Sequence, residues 1–256
     1  MIFSKLRRRE QTFERRLTGK PNVPNGIRVY AVGDVHGRDD LLEKLLVKIE
    51  HDIVSRASAA NHIVMLGDLI DRGPDSRGVL DRLSSFSLPG CKLHILSGNH
   101  EEVLLRLMDG EQNVLPSWLK YGGIDTLESY GADVEQIKRA DEISGLSLVQ
   151  ATIPASHQAL LRSLRDTVRI GDYLFVHAGI RPSIKLHRQS PSDLRWIRNP
   201  FLNDNTDHGF IVVHGHTISD EVVERSNRIG IDTGAYVTGR LTALGIEGEE
   251  RWFIEA

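Results

Sequence analysis

Short apolar runs alternate with helical patterns through the first half of the chain. Three runs are short enough to be buried strands: Ile27–Val32, Ile63–Leu66 and Leu93–Leu96. Apolar residues at helical spacing follow each run, over Asp40–Glu50, Ser76–Leu83 and Glu102–Met108. Because strand and helix alternate three times, the pattern predicts βαβ units and a largely parallel sheet in an α/β protein.

The second half begins with a different pattern and then returns to strands. From about residue 110 to 166 the chain is polar and helical and has no strong strand, which we interpret as a helical cap inserted into the sheet domain. Strands are predicted again at Tyr173–Val176, Ile211–Val213, Arg228–Ile231, Leu241–Ile246 and Trp252–Ile254. The sequence therefore predicts one domain over residues 27–256, preceded by a tail of residues 1–26.

Composition narrows the class of protein. The chain has 256 residues, of which 40% are hydrophobic and 26% charged, as in an ordinary globular domain. Its net charge of −3 argues against stable nucleic-acid binding through bulk positive charge. No apolar run approaches the roughly 18 residues that indicate a transmembrane helix. The single cysteine, Cys91, excludes an intramolecular disulfide and fits a cytoplasmic protein, and we interpret it as a packing residue.

The first twenty residues differ in charge from the rest. They carry seven Lys and Arg against two Glu, a net charge of +5, which leaves −8 for the remainder. They lack the apolar stretch of about 7–15 residues that a signal peptide requires. Three interpretations remain: a mobile tail, a surface helix, or a polybasic contact for an anionic partner or membrane face.

Polar turns follow the main apolar runs and contain most of the candidate chemistry. They carry Asp34, His36, Asp68, Asn99, His100, His177 and His216. Because ligands of such sheets lie beyond the carboxyl ends of the strands, we expect these side chains to converge. Carboxylate, imidazole and amide oxygen together suit Mn²⁺, Fe²⁺ or Zn²⁺.

The spacing of these residues predicts two metal ions. Asp34 and His36, two positions apart on an extended chain, point to the same side and can hold one ion. Asp68 has two carboxylate oxygens and can bridge to a second ion. That ion would be completed by Asn99, His177 and His216. Each motif alone has a simpler explanation as a turn, a helix cap or a core histidine, so the prediction depends on their occurrence together.

Five motifs carry a resemblance to a known family. They are GDVHG (Gly33–Gly37), GDLIDRGPDS (Gly67–Ser76), GNHE (Gly98–Glu101), HAG (His177–Gly179) and GHT (Gly215–Thr217). The series resembles the signature of bacterial phosphoprotein phosphatases within the calcineurin-like metallophosphoesterases, and it spans about Arg28 to Ile246. The resemblance implies a four-layer α/β/β/α sandwich of two mixed sheets with a helical cap insertion. It also implies that residues 27–256 are the catalytic domain.

The resemblance also implies roles for residues beyond the metal ligands. Arg72 and the arginine of a Trp-x-Arg element, here Arg198, would contact the phosphate, with the nearby Arg195 as an alternative. His100 would be the general acid, and Asp71 would orient it and stabilise its charge. Asp232 would support the ligands from outside.

The implied reaction is direct hydrolysis, in which hydroxide activated by two divalent ions attacks phosphorus in line. We expect a serine/threonine protein phosphatase that uses two divalent ions, Mn²⁺ first and Fe²⁺ or Zn²⁺ as alternatives, on a phosphorylated protein or peptide. The alternative is a hydrolase of diadenosine tetraphosphate or other nucleotide 5′ ends. A third is a non-catalytic binding module, against which the complete ligand set argues. The oligomeric state stays open.

Overall fold

A computed structural model describes residues 19–256. The predicted tail, residues 1–26, falls mostly outside the described residues and stays a prediction. In chain order the strands are β1 (Ile27–Val32), β2 (Ala60–Met65), β3 (Cys91–Ile95), β4 (Thr167–Ile170), β5 (Tyr173–Val176), β6 (Ile211–His214), β7 (Val223–Glu224), β8 (Arg228–Gly230), β9 (Thr242–Glu247) and β10 (Glu250–Glu255).

Ten α-helices accompany these strands in the described part of the chain. They are α1 (Asp39–Ser55), α2 (Ser76–Ser84), α3 (Asn99–Met108), α4 (Leu115–Trp118), α5 (Ile124–Ser129), α6 (Val134–Arg139), α7 (Glu142–Thr152), α8 (Ala155–Arg162), α9 (Pro191–Trp196) and α10 (Ala235–Thr238). The segment Leu119–Gly123 joins α4 to α5 through a kink at Tyr121 and Gly122, whose backbone angles are not helical. None of the helices over residues 19–256 is long and apolar enough to cross a membrane.

The strands form two mixed sheets of five. The first has the order β10-β9-β1-β2-β3 and the second the order β4-β5-β6-β8-β7. Strands β1-β2-β3 and β5-β6-β8 are parallel, as the alternating pattern predicts. Strands β9, β10, β4 and β7 pair antiparallel with their neighbours, which that pattern does not predict. Sequence reasoning also missed β4 and β7, because Thr167 and Arg169 interrupt the apolar run in β4 and β7 has only two residues.

Burial alternates along the strands and produces four layers. Val29 and Ala31 of β1 pack between the sheets, against a cluster that includes Phe175 and Val213 of the second sheet. Tyr30 and Val32 point the other way, into a core shared with α1, α2 and α3. A third cluster covers the outer face of the second sheet, where Leu174 and Val212 pack with α9. The predicted α/β/β/α sandwich is therefore confirmed.

Helices α4 to α8 lie within the segment that the sequence assigns to a helical cap. Their buried residues, among them Trp118, Leu127 and Leu146, belong to the same apolar cluster as α1 and the outer face of β1. The segment therefore packs onto the outer helical layer of the first sheet. Trp118 joins this segment to the strand-end loops, where the candidate site lies, through a hydrogen bond from its Nε1 to Asp71.

Candidate metal centre

The polar loops after β1, β2, β3, β5 and β6 meet at one place. Around His177, the Nε2 atom lies 3.0 Å from Asn99 Oδ1, 3.2 Å from His216 Nδ1 and 3.4 Å from Asp68 Oδ2. All four residues are buried. These side chains come from four separate loops, so the convergence that the sequence predicts is present.

A second group of ligand atoms adjoins the first through Asp68. His36 Nε2 lies 3.5 Å and His100 Nε2 4.0 Å from Asp68 Oδ2. Among the described residues, Asp68 belongs to both groups of side chains that are close enough to hold an ion. It therefore occupies the shared position that the sequence assigns to a bridging ligand.

These residues fit divalent cations. Metal–ligand distances of about 2.0–2.2 Å place neighbouring ligand atoms roughly 3.0–3.5 Å apart, which is the spacing around His177. Within residues 19–256, Asp34 Oδ1 is buried without a hydrogen-bond partner, as expected of an atom that completes a metal site. The other carboxylate oxygen of Asp34, Oδ2, accepts a hydrogen bond from the backbone N–H of His216 at 2.9 Å.

The electrostatics of the site also favour cations. Burial lowers the pKa of His36 and of His216 to about 3, so both imidazoles are neutral near pH 7 and can offer a lone pair. Burial first, and then the charges of Asp232 and Asp68, raise the pKa of Asp34 well above its usual range. Burial also raises the pKa of Asp232 to about 6. A divalent ion would relieve this crowding of carboxylates.

The loops that hold the site adopt strained backbone conformations. Five site residues have positive φ: His36, Asp68, Asp71, Arg72 and His216. Each such non-glycine residue costs on the order of 1 kcal/mol or more and persists where the surroundings enforce it. Gly98 is required here for a different reason, since a Cβ atom on it would overlap the Asp68 carboxylate.

Glu101 is a residue of the site to which sequence reasoning assigned no role. Its fully buried carboxylate accepts hydrogen bonds from the backbone N–H groups of Asp68 at 2.9 Å, Leu69 at 2.7 Å and Gly98 at 2.8 Å. It thereby ties the loop after β2 to the start of α3. Its position three residues after Gly98, the N-cap of α3, is where a glutamate can reach back to the N-cap backbone N–H, which is one half of a capping box.

His100 and Asp71 form a buried pair beside the metal-binding residues. His100 Nδ1 lies 2.7 Å from Asp71 Oδ2, and the His100 backbone N–H donates to Asp68 Oδ1 at 3.1 Å. Burial acts to lower the pKa of His100, but the charges of Asp68 and Asp71 outweigh it, so the pKa is raised. The imidazole is therefore equipped to carry a proton near neutral pH.

A cleft of about 290 Å³ opens onto His100 of this pair and onto Asp68, Asn99 and His216. Two arginines line it. Arg72 Nη1 donates to Tyr236 Oη at 3.1 Å, and its guanidinium lies 4.8 Å from the centre of the Tyr236 ring. Arg198 Nη2 donates to the backbone oxygen of His216 at 3.3 Å. Both guanidinium groups therefore line the same cleft as the candidate metal ligands and offer donors that suit phosphoryl oxygens.

Arg195, the alternative to Arg198, is engaged elsewhere. Its guanidinium pairs with Asp166 at 2.6 Å and with Glu102 at 3.2 Å, and it does not line the cleft. The placement favours Arg198 as the second phosphate contact. Cys91 also lies away from the cleft, in β3, where burial raises the pKa of its thiol to about 11 and it packs against the outer core.

These placements predict different results for the two arginines. Arg198→Ala should lower kcat/KM for a small aryl phosphate by roughly 100-fold, because one charged donor to the phosphoryl oxygens is lost. Arg195→Ala, the matched control, should cost stability of at most about 1 kcal/mol through its partly exposed ion pairs. Steady-state kinetics and thermal unfolding of both variants measure this, and a larger kinetic loss for Arg195→Ala would reverse the assignment.

Comparison with known proteins identifies the class. The calcineurin-like phosphoesterase family model matches residues 27–239. The chain therefore belongs to the calcineurin-like phosphoesterase family, and the predicted membership is confirmed. Family and fold together define a metallophosphoesterase, a hydrolase of phosphate esters with a metal-binding site.

The names of individual relatives indicate different activities. Serine/threonine-protein phosphatase 1 of Salmonella typhimurium is 28% identical over 224 residues, which are 86% of this chain and 92% of that protein. The asymmetrical bis(5'-nucleosyl)-tetraphosphatase PrpE of Anoxybacillus flavithermus is 28% identical over 230 residues, 83% of this chain and 88% of that one. A crystal structure of a cold-active protein tyrosine phosphatase shares the fold, with a TM-score of 0.54 at 20% identity over 91% of this chain and 81% of that one.

Proposed function

We propose that this protein is a metal-dependent serine/threonine protein phosphatase that acts on phosphorylated proteins or peptides. The observation that carries the proposal is the buried His100–Asp71 pair, in which His100 lines the cleft and Asp71 lies behind it. A serine or threonine alkoxide is a strongly basic leaving group and needs a proton as its bond to phosphorus breaks. The phosphate leaving group of a dinucleotide polyphosphate is weakly basic and has little need of one.

The arrangement assigns a part of the reaction to each residue. Asp34, His36 and Asp68 would hold one divalent ion, and Asp68, Asn99, His177 and His216 the second. When bound, such a pair of ions lowers the pKa of a water molecule and neutralises charge on the phosphoryl group.

The remaining site residues bind the phosphate and move the proton. Arg72 and Arg198 bind the phosphoryl oxygens and hold phosphorus in line with the leaving oxygen. His100 donates a proton from Nε2 to that oxygen, while Asp71 keeps Nδ1–H in place and stabilises the imidazolium. Water attacks directly, so no covalent phosphoenzyme forms.

The donor set predicts which cation supports activity. Protein stripped with a chelator should regain hydrolysis of 4-nitrophenyl phosphate with Mn²⁺ but not with Mg²⁺ alone, because Mg²⁺ binds imidazole poorly. Elemental analysis of the dialysed protein should find two Mn²⁺ per chain. Full recovery in Mg²⁺, or a content of one ion per chain, would contradict the proposed pair.

Parallel assays on two substrate classes test the proposed function. The metal-loaded protein should release phosphate from a phosphoserine peptide with a higher kcat/KM than that for hydrolysis of diadenosine tetraphosphate. The opposite order would overturn the proposal and favour a dinucleotide polyphosphate hydrolase. That second candidate is supported by two aromatic side chains on the cleft, Tyr121 and Trp196, which are 58% and 38% exposed and available to stack on a base.

A further inference from the structure

Asp71 accepts more hydrogen bonds than its pairing with His100 requires. The residue is fully buried. Its Oδ2 atom faces His100 Nδ1 at 2.7 Å and accepts from Trp118 Nε1 at 3.0 Å, while Oδ1 accepts from Thr126 Oγ1 at 2.6 Å. Three side-chain donors therefore surround one fully buried carboxylate, where each hydrogen bond is strong and each missing one is costly.

The direction of these hydrogen bonds follows from counting protons. Trp118 Nε1 can only donate. Thr126 has one hydroxyl proton, which goes to Asp71 Oδ1, so the contact of 2.9 Å between its oxygen and Ser76 Oγ is donated by Ser76. The Asp71 backbone N–H also points at Ser76 Oγ, at 2.9 Å, and at Thr126 Oγ1, at 3.0 Å. The Thr126 hydroxyl and the Trp118 indole N–H are thus both directed at the carboxylate, and His100 Nδ1 carries a proton toward it.

Two of these donors come from the helical segment and not from the sandwich loops. Trp118 ends α4 and Thr126 lies in α5, and both are buried. Gly123 allows the approach, since a Cβ atom there would overlap the Trp118 indole. The neighbouring Gly122 has φ of 114° and accepts from the Arg72 backbone N–H at 3.2 Å. The helical segment therefore contacts Asp71, the partner of the proposed proton donor His100, and also Arg72, the proposed phosphate ligand.

We propose that Trp118 and Thr126 are positioning residues for proton transfer to the leaving group. By fixing both carboxylate oxygens of Asp71, they hold the His100 ring with Nδ1–H toward Asp71 and Nε2 toward the cleft. The helical segment then contributes to the function of His100 as the general acid, in addition to packing on the outer helical layer. The inference rests on the proposed role of His100 as the acid.

Variants of Thr126 and Trp118 test this with substrates that differ in their need for a proton. Phenyl phosphate has a poorer leaving group than 4-nitrophenyl phosphate. Thr126→Val and Trp118→Phe should each reduce kcat on phenyl phosphate roughly tenfold more than on 4-nitrophenyl phosphate, a part of the about 10²–10⁴-fold that general acids contribute. Thr126→Ser keeps the hydroxyl group and should restore most of the loss on phenyl phosphate.

A control and a double variant separate positioning from simple structural support. Thr152→Val makes the same chemical change in α7, where the hydroxyl bonds a helix carbonyl, and should alter both rates equally. In a His100→Asn background, Thr126→Val should add no further selective loss on phenyl phosphate, since residues that act as a unit are not additive. Equal losses on both substrates, failure of Thr126→Ser to recover, or an additive double variant would overturn the inference.

This experiment is independent of the physiological substrate. If the wild-type protein hydrolyses both phenyl phosphates but not phosphoserine peptides, the proposed protein phosphatase activity fails while the positioning test still gives an answer. If His100→Asn itself shows equal losses on the two aryl esters, the assignment of the acid fails, and the positioning role fails with it. Trp118→Phe provides the second variant should Thr126→Val not fold, as judged by circular dichroism.

Discussion

Replacing Asp68 with asparagine should abolish most turnover and release both metal ions. Asp68 is the described residue shared by the two groups of ligand atoms, through Oδ2 contacts of 3.5 Å to His36 and 3.4 Å to His177. Asparagine replaces the charged carboxylate with a neutral amide, whose oxygen binds cations far more weakly, so the shared position should no longer hold two ions. Because loss of a partner outside the ligand set already costs about 10–100-fold, we expect a loss beyond roughly 100-fold here.

The measurement combines metal content with rate. Dialysed Asp68→Asn protein should contain well under one ion per chain by elemental analysis, and its circular dichroism should match the wild type, because Asp68 lies in a loop at a strand end. Asp109→Asn makes the same change at an exposed carboxylate that pairs with Arg162 and should keep both ions. Near-normal turnover of Asp68→Asn in Mn²⁺ would show that the bridging role is wrong.

Removing the proposed acid should lower kcat far more for substrates with poor leaving groups than for substrates with good ones. His100→Asn should lower kcat on a phosphoserine peptide by about 10²–10⁴-fold, because the alkoxide departs without a proton. Nitrophenolate is a good leaving group, so the loss on 4-nitrophenyl phosphate should be much smaller. Asp71→Asn should act in the same direction but less strongly, since Asp71 contacts the imidazole at 2.7 Å and does not itself transfer the proton.

Rapid-mixing or steady-state assays of both variants on both substrates give the comparison. Equal losses on the two substrates would place His100 in metal organisation or phosphate binding, a role its 4.0 Å distance to Asp68 also permits. The proton would then have to come from another group. Metal analysis of His100→Asn distinguishes an acid from a residue that organises the metal ions, because an acid can be removed without loss of ions.

Metal-binding candidates could be found from the sequence because each is a chemically distinctive residue directly after an apolar run. Asp68 and His177 are 109 positions apart, and a strand end precedes both. Their strands, β2 and β5, lie in different sheets, so the packing of the two sheets brings these strand ends together. The motif series also led to the family and thus to the two mixed sheets. The choice between Arg198 and Arg195 could not be made in this way, since only the ion pairs of Arg195 with Glu102 and Asp166 distinguish them.

The local pattern of the chain was enough to specify the parallel strands β1-β2-β3 and β5-β6-β8, the main helices and the set of candidate ligands. These features depend on apolar periodicity and residue chemistry. The contacts around Asp71 depend on something else. Trp118 and Thr126 lie 47 and 55 residues from Asp71 and stand in an ordinary helical pattern, with no local feature that marks them as its partners. Their role arises because the helical segment shares a core with the first sheet, and that packing carries an indole and a hydroxyl to a buried carboxylate.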